Sequence, residues 1–190
     1  MFFIDSHYTA LVEEKQSKFI AHLIPYELFK DTLENLKAEH PKARHFVTAY
    51  RYLNEFDQIV ENSSDDGEPK GTSGKPTLAV LQGHELINTA VIVVRYFGGT
   101  KLGTGGLVRA YSDAVNLAVK SAQLHPYVKE KLETICFSYA DIGKVEYECA
   151  QAAITIVEKK FENDVCFTIK AQEELIEPFC KHVKEMLGQW

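Results

Sequence analysis

The segment AVIVVRYFGGTKLGTGG, residues 90–106, carries the strongest fold signal in the chain. Its first five residues, 90–94, form a continuous apolar run, which is typical of a central β-strand buried on both faces. Five of the nine residues from Gly98 to Gly106 are glycine, a composition that predicts irregular backbone with unusual dihedral angles. Apolar residues then recur at helical spacing over residues 107–122. The segment therefore predicts a buried strand, an irregular glycine-rich stretch and a helix, in that order.

Upstream of this segment, residue patterns predict further strands and helices joined by a polar loop. The predicted strands cover residues 16–24, 45–53 and 58–61, and the predicted helices cover residues 28–40 and 77–81. Pro41 stops the first of these helices, because proline cannot continue the hydrogen-bond pattern. Residues 62–76 are polar and rich in glycine, which predicts the loop.

The dipeptide His125-Pro126 marks the predicted domain boundary, with an N-terminal domain of residues 1–125 and a C-terminal domain of residues 126–190. The second domain is predicted to contain a strand, a helix, a hairpin of two strands and a last helix that ends near Leu187. The first four of these elements cover residues 132–139, 141–156, 157–161 and 165–170. This order is most of a ferredoxin-like unit whose final strand is short or missing. The predicted fold class is therefore α+β with two domains.

The composition is that of a globular protein and argues against a highly basic nucleic-acid coating protein and against a membrane-spanning protein. The chain of 190 residues carries 21 Lys and Arg against 27 Asp and Glu, a formal net charge of −6. This balance argues against a protein that coats nucleic acid by charge alone, and leaves a local basic face open. No run approaches the roughly 18 apolar residues of a membrane span. The apolar start is too short for a secretory signal, so we expect a cytoplasmic protein with no membrane partner.

Four cysteines lie in the last third of the chain, at positions 136, 149, 166 and 180. No two of them form a C-x-x-C pair, which argues against a zinc site. In a cytoplasmic chain we expect all four to be buried, reduced thiols.

The polar loop contains the motif DDGEPKGTSGKP, residues 65–76, which suits either a ligand site or a mobile turn. Asp65, Asp66 and Glu68 place three carboxylates within four positions, and carboxylate oxygens can hold Mg²⁺. Thr72, which follows a glycine, could present its backbone N–H group to a phosphate. The residue order matches neither a Walker A loop nor an EF-hand. Composition alone favours the solvated, mobile turn.

The glycine-rich stretch leads into a helix N-terminus, which offers unpaired N–H groups and a positive partial charge to an anion. Arg95, Lys101 and Arg109 add three positive charges close to this helix start. Tyr96 and Phe97 could stack on a nucleic-acid base. The alternative is a packing loop whose glycines let helix and sheet approach closely, and the residue pattern favours neither interpretation.

The predicted strand at residues 45–53 alternates aromatic and cationic side chains. Tyr50 and Tyr52 share one face, and His45 and Arg51 share the other. Such a strand can serve as a stacking platform for single-stranded nucleic acid. Aromatic residues of strands belong more often to the core, and this alternative is the stronger one.

Together, DDGEPKGTSGKP at residues 65–76 and VIVVRYFGGTKLGTGGLVRAY at residues 91–111 resemble the signature of the IMPACT family, bacterial YigZ-like branch. The resemblance implies an N-terminal domain with the βαβ-rich fold of a small-subunit ribosomal protein, also seen in domain IV of elongation factor G. It also implies a C-terminal domain similar to the ferredoxin-like domain V of that factor. Eukaryotic relatives regulate translation, and no settled catalytic residues come with the family.

The resemblance and the residue patterns favour a translation-associated protein that binds RNA, the ribosome or a translation factor through a glycine-rich basic surface. The residues predicted to form this surface are His45, Arg51, Thr72, Lys75, Arg95, Tyr96, Gly98, Gly99, Lys101, Gly103, Gly105, Gly106 and Arg109. One alternative is a metal-assisted enzyme that holds Mg²⁺ on Asp65, Asp66 and Glu68 and acts on a nucleotide or other phosphorylated substrate. The other is a protein-interaction adaptor. The sequence contains neither a G-x-S-x-G elbow nor an H-E-x-x-H motif, which argues against common hydrolase classes.

Overall fold

The structure, a computed structural model, describes residues 1–188 and divides into two compact units. The first unit runs from Met1 to Tyr127 and the second begins at Val128. This division lies next to the predicted His125-Pro126 boundary. Within residues 1–188, every helix is too short or too polar to span a lipid bilayer.

The first unit is built on a five-stranded antiparallel sheet with the strand order β2-β3-β6-β4-β5, and β1 pairs with β7 in a separate two-stranded sheet. Its strands are β1 (Phe2–Phe3), β2 (Tyr8–Glu14), β3 (Ser17–Pro25), β4 (His45–Leu53), β5 (Ile59–Ser64), β6 (Thr89–Tyr96) and β7 (His125–Pro126). Its helices are α1 (Phe29–Glu39), α2 (Gly74–Gly83) and α3 (Gly103–Ser121).

Strand β6 is the centre of this sheet and confirms the predicted strand buried on both faces. Side chains alternate along a strand, so β6 contributes to two cores. Val91 and Val93 pack in the core that α2 and α3 cover. Ile92 and Val94 pack on the opposite face, which α1 covers. The first unit is therefore a helix–sheet–helix sandwich with β6 in its middle layer.

Helix α3 begins earlier than the sequence predicted. We expected irregular backbone up to Gly106, but the helix already starts at Gly103. The first N–H groups of a helix need no intrahelical partner, so the terminal turn requires less of its residues than the interior. The buried stripe that includes Leu107, Tyr111 and Val115 stabilises the whole helix through tertiary packing, which outweighs the low helix propensity of glycine.

The second unit has the predicted order of strand, helix, two strands and helix. Its elements are β8 (Glu130–Phe137), α4 (Ile142–Gln151), β9 (Thr155–Phe161), β10 (Val165–Gln172) and α5 (Glu173–Met186). The sheet is antiparallel with the order β8-β10-β9, and residues of both helices share its core, including Val145, Phe167 and Val183. Helix α4 is shorter than predicted, because Ala153 adopts a φ of 54° and the chain turns into β9.

The expectation of four reduced thiols was wrong for two of the cysteines. Cys136 on β8 lies directly opposite Cys166 on β10, with Cα atoms 4.1 Å apart, and the two form a disulfide. The strand register brings together two residues that are 30 positions apart in the chain. Cys149 is free and buried, as predicted, and burial raises its pKa to about 11. Cys180 is free but only partly buried, so the expectation of burial was wrong for this residue.

Candidate functional site

The first predicted motif folds around one carboxylate. We call residues 65–74 the acidic loop. Asp65 accepts hydrogen bonds from the backbone N–H groups of Gly71 at 2.7 Å, Ser73 at 3.1 Å and Gly74 at 2.8 Å, and from the Ser73 hydroxyl at 2.7 Å. Burial alone would raise the pKa of Asp65, but these hydrogen bonds outweigh it and lower the pKa to about 2. Asp65 therefore holds the loop closed and secures the start of α2.

Gly74 explains why the loop can close so tightly. A Cβ atom at this position would lie 2.8 Å from the carbonyl carbon of Ser64. Only glycine allows the backbone of α2 to approach the end of β5 at this distance. Gly74 thus serves packing, whereas Gly67 and Gly71 provide turns with φ values of 84° and 77°. The loop is held by these contacts, in contrast to the mobile turn that its composition favoured.

Glu68 is buried and joins the two predicted motifs. Its carboxylate forms an ion pair with Arg95 of β6 and accepts a hydrogen bond from the Tyr111 hydroxyl of α3 at 2.8 Å. The Nε2 atom of His45 lies 3.9 Å from the same carboxylate oxygen. Burial, and then the neighbouring Glu68, raise the pKa of Tyr111 far above its usual range. The Arg95 charge, predicted to be a phosphate ligand, is therefore already compensated inside the unit.

Asp66 points to a third set of donors. Its carboxylate accepts a hydrogen bond from the backbone N–H of Phe46 at 2.6 Å, and its carbonyl oxygen lies 2.8 Å from Nδ1 of His45. The three carboxylates thus face different partners, and residues 1–188 contain no group of three His, Cys, Asp or Glu side chains arranged to hold a metal ion. Magnesium binding by Asp65, Asp66 and Glu68 stays a prediction, and it would require these side chains to leave the partners described above.

The second motif presents an aromatic ring to solvent. We call residues 97–102 the glycine loop. Phe97, its first residue, is 41% exposed. The guanidinium carbons of Arg44 and Arg95 lie 6.0 Å and 5.7 Å from the centre of the Phe97 ring, within the range of a cation–π contact. Lys101 is exposed further along the same loop.

Tyr96, predicted to stack on a base beside Phe97, lies on the other face of the sheet. Its hydroxyl is 2.8 Å from Nδ1 of His40, at the end of α1. Side chains alternate along β6, so Tyr96 and Arg95 point to opposite faces, and Phe97 lies beside Arg95. This alternation separates two neighbouring residues that the sequence analysis had grouped.

The glycine loop is fixed at one point. Gly98 donates a backbone hydrogen bond to the Ser17 hydroxyl at 3.0 Å, and a Cβ atom at Gly98 would lie 2.1 Å from the carbonyl carbon of Gln16. The loop therefore rests directly on the β2–β3 turn. Gly99 and Gly103 adopt φ values of 91° and 74°, which residues other than glycine rarely adopt.

Other predicted residues have structural surroundings. Arg51 is buried, pairs with Glu61 at 2.6 Å and donates to the carbonyl of Leu86 at 2.8 Å, so it ties β4 to the segment after α2. Thr72 is buried and donates to the carbonyl of Pro69 at 2.7 Å.

The remaining predicted residues lie on the helices. Lys75 is exposed in the first turn of α2, and Arg109 is exposed on α3, whose first turn contains Gly105 and Gly106. Arg109 and the buried Tyr111 are two positions apart, so they point in directions about 200° apart around the helix. Arg109 therefore does not face the Glu68 cluster.

The sequence analysis missed Arg44 and gave too little weight to Phe97, the two residues whose side chains meet at the start of the glycine loop. Arg44 precedes β4 by one position, and no local motif marked it. Phe97 was noted only together with Tyr96. The period-two pattern of β6, with Arg95 on the face of Val91 and Val93, was the available signal that Phe97 shares their side of the sheet.

Two family models match the chain, and their ranges follow the two units. The Impact N-terminal domain matches residues 15–119, which contain both the acidic loop and the glycine loop. A domain of unknown function, DUF1949, matches residues 135–189.

The chain is also similar to bacterial proteins and to a solved structure. It is 36% identical over 176 residues to an IMPACT family member of Haemophilus influenzae, covering 91% of this chain and 85% of that protein. It is 46% identical over 115 residues to IMPACT family member YigZ of Escherichia coli, covering 59% and 56%. A crystal structure of a hypothetical protein matches with a TM-score of 0.69 and 31% identity, covering 97% of this chain and 91% of that one. These matches confirm the resemblance of the two motifs: the chain belongs to the IMPACT family.

Proposed function

We propose that this protein is a translation-associated regulator that binds RNA, free or within the ribosome, through the surface formed by Arg44, Phe97 and Lys101. The observation that carries the proposal is the exposed Phe97 ring at the end of the central strand, with the guanidinium group of the exposed Arg44 at 6.0 Å from its centre. The second guanidinium group near the ring, that of Arg95, is buried and paired with Glu68. The link to translation rests on what the family resemblance implies for its eukaryotic relatives.

An exposed ring beside cationic side chains suits single-stranded RNA. Every base has a π-face, so stacking on Phe97 requires no particular sequence. Arg44 and Lys101 can contact the phosphates on either side of a stacked base. Gly99 leaves room for the RNA backbone to approach the protein backbone, because no atom lies within 4 Å of the position that a Cβ atom would take there.

The net charge of −6 limits the mode of binding. A protein that is acidic overall gains little from long-range attraction to RNA, so binding must rely on local contacts around Phe97. We therefore expect moderate affinity and a shallow dependence on salt concentration, unlike the steep dependence of proteins that neutralise many phosphates.

We also propose that the two units have the folds that the family resemblance implies. The strand order β8-β10-β9 with helices after β8 and β10 supports a ferredoxin-like second unit, of which residues 128–188 form the first three strands and both helices. The sheet of the first unit, covered by helices on both faces, supports the likeness to domain IV of elongation factor G.

The test is a titration of fluorescently labelled single-stranded RNA, followed by anisotropy, together with co-sedimentation of the protein with purified ribosomal subunits. Stacking of one base is worth about 1–3 kcal/mol, so we expect Phe97→Ala to weaken binding about tenfold or more. Lys101→Glu should weaken binding and lower the salt slope by about 0.7 for the lost phosphate contact. Lys30→Glu, an exposed change on α1, is the matched control.

The proposal fails if the wild-type protein, Phe97→Ala and Lys101→Glu bind RNA and ribosomal subunits equally. Binding that Lys30→Glu weakens as strongly as Lys101→Glu would show a response to net charge rather than a site.

A further inference from the structure

The disulfide of the second unit lies on the side of the sheet that faces away from its core. Phe137 and Phe167, the next residues along β8 and β10, pack in the core that both helices share. Side chains alternate along a strand, so Cys136 and Cys166 point to the opposite face. Cys136 is exposed and Cys166 is partly buried. The bond is therefore within reach of a molecule in solution.

Cys166 is the middle member of a row of three side chains on this face. In the strand register it lies opposite Cys136 of β8 on one side and opposite Lys160 of β9 on the other. The ammonium group of Lys160 lies 3.5 Å from the carboxylate of Glu158 on the same strand, and both side chains are exposed. A nearby cation stabilises a thiolate, which is the form that attacks and leaves in disulfide exchange. The row thus combines a reactive sulfur, a second cysteine that can bond to it, and a cation.

A cavity of about 340 Å³ lies next to this row. Its lining includes Cys166 and Lys160, together with Glu162 and Asp164 of the turn between β9 and β10, whereas Cys136 is not part of it. Cavities that bind small molecules have volumes of about 300–1,000 Å³. Because the lining carries both signs of charge, it suits a small molecule that itself carries carboxylate and ammonium groups.

We propose that the Cys136–Cys166 pair is a thiol–disulfide exchange site for small thiols that carry both carboxylate and ammonium groups, the class to which glutathione and cysteine belong. In a cytoplasm, which the sequence predicts for this chain, disulfides are usually transient and serve catalysis or redox sensing, and an accessible pair suits such a role. The site belongs to the second unit and does not depend on RNA binding by the first unit.

The cavity determines which sulfur reacts first. The thiolate of the bound molecule attacks Sγ of Cys166 and forms a mixed disulfide, while Cys136 leaves as a thiolate and takes up a proton. A second small thiolate then attacks the small molecule's sulfur in the mixed disulfide, and Cys166 leaves and takes up a proton. The protein gains two electrons and two protons, and two small thiols become one small disulfide. The reverse sequence oxidises the pair.

The first experiment compares the two sulfurs, with glutathione disulfide as the probe. All variants carry Cys180→Ser, because Cys180 is free and only partly buried. In this background Cys136→Ser retains Cys166, and Cys166→Ser retains Cys136. Mass spectrometry of the reduced variants follows the addition of one glutathione. We expect addition to be about tenfold or more faster at Cys166, because the cavity and the cation act on this sulfur. Exposure alone would favour Cys136 instead.

The second experiment tests the cation. In the variant that retains Cys166, Lys160→Glu should slow the addition about fivefold or more, because it places a carboxylate where the cation was. Lys170→Glu is the matched control, since it makes the same change of charge on the same face of the sheet, four residues further along β10. At that distance salt screens the charge, so the rate should change less than about twofold.

In the wild-type chain, excess reduced glutathione under native conditions should convert the disulfide into two thiols, which thiol counting measures. Circular dichroism should show that this chain and every variant stay folded, because both cysteines face away from the core. A disulfide that resists glutathione until the chain is unfolded overturns the proposal. Addition at Cys136 as fast as at Cys166 also overturns it, and so does equal slowing by Lys160→Glu and Lys170→Glu.

Discussion

The acidic loop and the glycine loop are both punctuated by glycine, yet they do opposite things. The acidic loop turns two of its three carboxylates inward: Asp65 accepts four hydrogen bonds, and Glu68 is buried against Arg95 and Tyr111. The glycine loop turns outward and presents Phe97 and Lys101. The difference shows that a conspicuous sequence motif can stabilise the fold beneath a binding surface without being part of that surface. Substitutions in the acidic loop should therefore destabilise the first unit, whereas substitutions in the glycine loop should leave its stability nearly unchanged.

The largest effect is expected for Glu68→Ala. It leaves the buried Arg95 charge without its carboxylate and the Tyr111 hydroxyl without its acceptor, and breaking a buried ion pair costs about 3–5 kcal/mol. The free energy of unfolding from denaturant titrations measures the loss. Glu55→Ala, an exposed change in the same unit, should alter it by less than about 0.5 kcal/mol. Equal effects of the two variants would remove the structural role of Glu68.

The next effect is expected for Asp65→Ala, which leaves the N–H groups of Gly71, Ser73 and Gly74 without an acceptor. Unsatisfied groups that are partly buried cost about 1–3 kcal/mol in total here, since water reaches some of them. Denaturant titration measures the loss, and limited proteolysis should show new cleavage between residues 65 and 74. Protection of this segment equal to that of the wild type would contradict the role of Asp65.

Protonation of Asp65 at low pH should weaken the same hydrogen bonds without a substitution. The folded-state pKa of Asp65, about 2, is lower than its ordinary value of 3.8, so folding favours the ionised form. The stability contributed by Asp65 is therefore fully present above about pH 4 and is lost as the pH falls towards 2. The chemical shift of the Asp65 carboxyl carbon, followed by NMR, reports this titration. In Ser73→Ala, which removes the hydroxyl donor, we expect the pKa of Asp65 to rise; an unchanged value would contradict the assigned cause.

The smallest effect on stability is expected in the glycine loop. Phe97 is exposed, so Phe97→Ala should reduce the free energy of unfolding by about 1 kcal/mol or less, and Lys101→Glu by less than about 0.5 kcal/mol. The same denaturant titrations measure both. A loss as large as that of Glu68→Ala would show that the glycine loop, too, contributes strongly to the stability of the first unit.

Much of the fold follows from periodicity, because the residues concerned are buried on regular faces. The apolar run of β6 and the stripe of Leu107, Tyr111 and Val115 on α3 predict their elements directly. Local composition failed where tertiary packing decides the structure, as at the start of α3. It also could not show the Cys136–Cys166 disulfide, which depends on the register of two strands.

The candidate site was less predictable than the fold, for a related reason. Charge is visible in a sequence, but its compensation is not: Glu68 lies 27 positions before Arg95 and meets it only in the folded unit. The exposed residues Arg44 and Phe97 lie next to the ends of β4 and β6, and the pairing of these two strands brings them together. A prediction of the site therefore required the sheet register, which the motifs alone do not contain.

The contact of Gly98 with the β2–β3 turn makes that turn a remote reporter of the loop. Lys15 and Gln16 hold φ values of 46° and 64°, and the carbonyl carbon of Gln16 sits directly beneath Gly98. A ligand that shifts the glycine loop should therefore change the amide resonances of Lys15 and Gln16, because the backbone of Gly98 packs directly on the backbone of this turn. Isotopic labelling of lysine and glutamine alone would give a sparse spectrum in which occupancy can be followed without a label on the ligand.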